Sequence, residues 1–141
     1  MRRAFGVLLF ALVVAGCGSS GGAAPVGSNV TTGLPPASAV WFGTAFDPTS
    51  LALSDKANTF KAGSPTVAIG TLIAPRSPDQ VQVQVEAGGS VKASLPVAAG
   101  SVGSTFAADL TPAHLGPGTY LVMFVDAAHK SLASSSITLT P

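Results

Sequence analysis

The clearest alternation along the chain lies at residues 80–95. In QVQVQVE (80–86) Val81, Val83 and Val85 fall on one side, with Gln80, Gln82, Gln84 and Glu86 on the other. A strict period of two predicts a half-buried strand. The AGGS that follows supplies glycines able to take positive φ. VKASL (91–95) then resumes with Val91, Ala93 and Leu95 inward and Lys92 and Ser94 outward, so the pair predicts a hairpin. The β-branched and aromatic VWFGTAF (40–46) ends at Asp47-Pro48, where proline's missing N–H would interrupt a central strand. Further strands are predicted over 66–74, 104–110, 119–127 and 134–140, with DAAHKS forming the last hairpin turn. TPAHLG (111–116) predicts one short turn, capped by Thr111 with Pro112 in the first helical position. No window carries a helical period. Short strands at roughly ten-residue spacing, punctuated by Gly and Pro, predict an all-β sandwich or barrel.

The first 38 residues obey different rules. Arg2 and Arg3 precede AFGVLLFALVVA (4–15), and the small residues Ala15 and Gly16 lead to Cys17. A positive start, a short apolar stretch and small residues at its end define a secretory signal peptide, residues 1–16. As a helix the apolar stretch spans roughly 18 Å, short of a bilayer core of about 30 Å. Val14-Ala15-Gly16-Cys17 resembles the lipobox of bacterial lipoproteins. That resemblance implies cleavage before Cys17, a diacylglyceryl thioether on its thiol and acylation of the new amino terminus. Two acyl chains are enough for stable anchoring, at about 0.8 kcal/mol per buried CH₂. The alternative is a Cys17 that is incidental to an ordinary signal peptide or an N-terminal membrane anchor. Gly18 rather than Asp follows the cysteine, which by the same resemblance favours the outer membrane in a diderm and the outer face of the cell membrane in a monoderm. Residues 18–38, rich in Gly, Ser, Thr, Ala and Pro and free of charge, read as a flexible tether with roughly 25 Å of reach. The expected organisation is therefore signal peptide (1–16), lipidated Cys17 and tether (17–38), and sandwich domain (39–141).

The segment from Leu110 to Thr140 resembles the last strands of bacterial immunoglobulin-like and fibronectin-type domains. The residues that carry the resemblance are Leu115, Pro117-Gly118 and Tyr120. It implies an immunoglobulin-like antiparallel β-sandwich of about seven strands, with a tyrosine corner in which the phenol hydroxyl satisfies an upstream backbone group. Cys17 is the only cysteine, so the inter-sheet disulfide of antibody domains is excluded and stability must come from apolar packing.

Charge narrows the partners. After residues 1–16 are removed, five basic side chains face six carboxylates, net −1, with no basic stripe. Nucleic acid is thereby an unexpected partner, and no polybasic patch addresses anionic lipid. His114 and His129 are the only histidines and lie in turns without the spacing of a metal site. Ser101 sits in GSVG, not in the GxSxG of a nucleophile elbow. The carboxylates are scattered singly, although an Asp47–Asp126 or Asp55–Asp79 pair could meet in space. No catalytic residue, metal ligand or cofactor is expected. The functional lead is apolar surface: TYLVMFVDA and VWFGTAF are apolar on both faces, where a one-sided sandwich strand should be polar outward. Either turns or edge segments cover the second face, or it docks another envelope protein, with Trp41 and Met123 as anchors. The expectation is a lipid-anchored, non-catalytic interaction or accessory module of the cell envelope. The alternatives are a ligand-binding lipoprotein using the sandwich loops and, third, a hydrolase with His114 or His129 beside a carboxylate.

Overall fold

The computed structural model describes residues 38–98, 101 and 103–141. The expected signal peptide, Cys17 and the expected tether up to residue 37 lie outside the described residues. In chain order the strands are β1 (Ala39–Gly43), β2 (Ala45–Phe46), β3 (Leu53–Ser54), β4 (Thr59–Lys61), β5 (Val67–Thr71), β6 (Val81–Ala87), β7 (Ser90–Pro96), β8 (Thr105–Asp109), β9 (Gly118–Asp126) and β10 (Ser131–Thr140). Strands β1-β5-β8 form one sheet, β4-β10-β9-β6-β7 a second, and β2-β3 a small separate hairpin. All pairings are antiparallel except β4 with β10, which run parallel.

The two larger sheets face each other across one apolar core, which makes the described residues an all-β sandwich. Seven strands carry it: β1, β5 and β8 against β6, β7, β9 and β10. The other three are short additions. Alternation decides which side chains enter. Val81, Val83 and Val85 on β6, and Val122 and Phe124 on β9, point inward, as do Val40 and Phe42 on β1 and Phe106 on β8. Each buried side chain of this size contributes about 1.5–3 kcal/mol. Phe42, Phe106 and Phe124 are all fully buried, and room for them comes from small residues opposite. A Cβ on Gly70 of β5 would stand 2.6 Å from the Phe124 ring, closer than real atoms approach.

Turn chemistry closes the strands. Gly88 and Gly89, both at positive φ, join β6 to β7 in a two-residue hairpin of the kind that needs two such residues. At the start of β9, the Tyr120 hydroxyl donates to the Gly116 carbonyl at 2.9 Å, the bond of a tyrosine corner. The edge strand β7 carries three features that discourage further pairing: a register shift that leaves Lys92 as an extra residue, Lys92 itself, and the terminal Pro96.

The sequence expectation differs from this in four places. VWFGTAF is not one strand: it breaks at Thr44, whose N–H bonds Ser54 O at 3.0 Å, and the remainder becomes the β2-β3 hairpin. The strand expected over 66–74 stops at Thr71, because the Leu72 N–H turns to Ser104 O at 2.7 Å. Val91, expected inward, is 51% exposed, because the bulge at Lys92 pairs it with outward-facing Glu86. Thr111 does not cap the short turn; Leu110 holds that position with no side-chain cap bond. The Thr111 hydroxyl instead accepts the Thr66 N–H at 3.4 Å.

Two substitutions test this packing. Gly70→Ala overpacks the Phe124 contact and is expected to destabilise by about 1–3 kcal/mol, read as a lower urea midpoint with unchanged slope. Tyr120→Phe removes the corner bond and is expected to cost about 0.5–1.5 kcal/mol. A wild-type midpoint in either variant would contradict the corresponding contact.

Candidate functional site

Trp41 and Met123 do not share a surface. Their strand neighbours Phe42 and Phe124 meet in the core, so the two side chains point outward from opposite sheets. The two candidate binding residues therefore lie on separate faces, with no continuous patch joining them.

The outer face of β1-β5-β8 is largely covered. The register sets Trp41, Ile69 and Ala107 in one row. Asp47 builds the cover: its carboxylate accepts the backbone N–H groups of Thr49 at 2.7 Å and Ser50 at 2.8 Å. This turn holds Leu51 in the left-handed region, φ 55°. Leu51 then packs with Ile69 and Ala107, joined by Phe46, Leu53 and Ala98, into a second apolar cluster. The cover stops short of the sheet edge, and Trp41 remains 44% exposed. Two shallow clefts of about 200 Å³ flank the indole, and Lys56 lines both. The Ala57 N–H donates to Phe42 O at 3.2 Å, which brings residues 56–58 back beside β1.

The outer face of the five-stranded sheet is more open. Leu121, Met123 and Val125 run down β9 between Ser134 and Ser136 on β10 and Gln82, Gln84 and Glu86 on β6. Leu121 is exposed, Met123 half-buried and Val125 fully buried. The difference follows the 127–130 turn: His129 Nδ1 and Gln84 Nε2 lie 2.8 Å apart, which draws the turn back across the face at its Val125 end.

A third feature is a cavity of about 210 Å³ at one end of the sandwich. Its apolar lining is Leu110, Leu115, Ile137 and Leu139, and its polar lining includes Ser64, Thr66, Thr111 and His114. His114 ends the short turn at φ 47°.

The remaining candidates have local partners. The Ser101 hydroxyl donates to Ala98 O at 2.9 Å and accepts the Ala107 N–H at 3.1 Å, tying its loop to β8. Asp126 accepts the backbone N–H groups of Ala128 and Lys130. Asp55 accepts the Thr44 hydroxyl at 2.8 Å. Among the described residues no group of three His, Cys, Asp or Glu side chains is placed to hold a metal ion. Lys56 was not legible as a site residue in sequence, since a lone lysine in a turn carries no signal. Only the return of the chain after β3 places it beside Trp41. No family model matches the chain, and neither a curated protein nor a solved structure gives a match.

Two carboxylates are shifted. Backbone N–H groups of Ser50 and then Thr49 hold Asp47 below its ordinary value. For Asp126 the Lys130 N–H dominates, aided by Ala128 and the charges of Arg76 and Lys130. A carboxyl lowered in the folded state stabilises above its unfolded pKa of about 3.9 and loses that contribution as pH falls through the lower folded value. The domain is therefore expected to lose stability below about pH 4. The loss should be smaller in the Asp47→Asn and Asp126→Asn variants, as thermal unfolding followed across pH 2–7 would record.

Proposed function

We propose that this chain is a lipid-anchored, non-catalytic interaction module of a bacterial cell envelope. Acylated Cys17 holds it at the extracytoplasmic side of a membrane, and the segment 18–38 gives it reach. The anchor reading rests on Arg2-Arg3, the apolar residues 4–15 and Val14-Ala15-Gly16-Cys17. The observation that carries the interaction role is Trp41, the chain's one tryptophan, left 44% exposed at the rim of an otherwise covered face. Indole is the side chain most often found as an interface anchor, and leaving it in water forgoes a large burial term. The cavity lined by Leu110, Ile137 and His114 favours a second reading, a module that holds a small ligand with an apolar body at the end of the sandwich.

Intact-mass spectrometry and native pull-down of the membrane-extracted protein test the proposal. A mass of residues 17–141 plus acyl groups is expected, and Cys17→Ala should release the protein from the membrane fraction. A stoichiometric partner lost on Trp41→Ala supports the interaction role. An unmodified Cys17 overturns the anchor, and partner capture indifferent to Trp41 overturns the assignment of that residue.

A further inference from the structure

The surroundings of Trp41 restrict what it can bind. The indole is the wall common to two clefts of about 200 Å³, one over the outer face of the sheet and one at its edge beside residues 56–58. Lys56 reaches both and, among the described residues, is the only charged one lining either. The neighbouring Asp55 lines neither and is engaged by the Thr44 hydroxyl. The other polar groups are neutral: Ser50, Thr71 and Thr105 in the first cleft, Asn58 in the second. An exposed flat ring, a single cation without a carboxylate in the lining, and hydroxyl and amide groups on both sides are thus gathered at one place.

Those three elements match one ligand chemistry. A pyranose ring offers an apolar C–H face to an indole and hydroxyls to neutral donors and acceptors. A carboxylate on the same ring is the complement of a lysine ammonium, and a charge-assisted bond of this kind is stronger than a neutral one. The paired clefts suit a chain of such rings crossing the indole from one side to the other. A peptide anchored by an apolar side chain would instead require an enclosed apolar pocket, and both clefts are shallow. We propose that Trp41 and Lys56 form a binding site for an acidic polysaccharide, one uronate ring resting on the indole with its carboxylate at the Lys56 ammonium. This rests on the reading of the domain as an interaction module and names the chemistry of its partner.

With a single tryptophan in the chain, intrinsic fluorescence reports on this site alone. Detergent-solubilised full-length protein is titrated with oligogalacturonate and, separately, with its methyl ester, which keeps the rings and removes the charge. A saturable change in tryptophan emission is expected with the acid. Binding should weaken about tenfold for the ester and for Lys56→Gln, the loss of one charge-assisted bond. Trp41→Ala, followed by calorimetry, should abolish binding. Both positions lie at the surface, and thermal unfolding checks that the variants fold; Lys56→Gln alone suffices should Trp41→Ala not. Equal response to acid and ester overturns the role of Lys56, and no saturable response overturns the site. An acylated protein that ignores oligogalacturonate yet captures a protein partner through Trp41 overturns the polysaccharide and spares the module. A saturable uronate response with unmodified Cys17 overturns the lipid anchor and spares the polysaccharide site.

Discussion

The contact between Phe124 and Gly70 sets the terms for the rest of the sandwich. Two sheets pack about 10 Å apart, and that space must be filled without voids and without overlap. Phe124 fills it from β9, and it fits because β5 presents no Cβ at Gly70. The same exchange of large for small recurs nearby: β5 faces the core with Ala68 and Gly70, while β1 and β8 supply Phe42 and Phe106. In a chain with one cysteine, no intrachain disulfide can compensate for a poor fit. Close packing and the strand ladders carry the stability, with turn bonds such as Tyr120 to Gly116 fixing where each ladder starts.

Covering the outside is the second problem, since few charges are available to solvate it. The molecule treats its two outer faces differently. On the three-stranded sheet an apolar cover is laid down, Leu51 over Ile69. Leu51 is held there in a backbone region that costs a branched residue on the order of 1–3 kcal/mol, a cost offset by its burial and by the bonds of Asp47. On the five-stranded sheet the neighbours of the apolar β9 stripe are serines and glutamines, and only the Val125 end is closed, by the reach of His129 to Gln84. Neutral polar side chains therefore do the solvating work that charges do elsewhere.

Period-two alternation made β6 and β7 legible, because each shows an apolar and a polar side in sequence, while β9 was legible as a continuous apolar run and β5 and β8 by the prolines that follow them. The glycine pair at 88–89 and the Leu-Pro-Gly-Tyr pattern at the start of β9 were legible for a similar reason: each is a local solution to a local backbone problem. The hairpin β2-β3 and the strand β4 were not. Two residues cannot display a period, and Phe60 is the only large apolar residue of β4; its pairing with β10 joins positions about eighty residues apart. The bulge at Lys92 was invisible for a related reason. A one-residue shift leaves the sequence pattern intact while reversing the side on which Val91 emerges.

The candidate site shows the same division. Trp41 stood out in sequence because an aromatic on the second face of a strand demands an explanation, and the structure places it at the rim of a cover that ends before reaching it. Lys56 acquires meaning only through the β2-β3 hairpin, which also builds that cover. One insertion between β1 and β4 thus does two things at once. It buries Ile69, which stabilises the outer face, and it returns a cation to the one indole it leaves uncovered. Had the segment served stability alone, extending the apolar cover by one side chain over Trp41 would have removed a large exposed surface with no change elsewhere in the fold. The hairpin instead ends in Asp55 and Lys56, with the carboxylate turned to Thr44 and the lysine lining both clefts beside the ring. The exposed indole is what is costly to leave in water, while the hydrated ammonium beside it is not; an occupant with an apolar face and a carboxylate would cover the first and pair with the second.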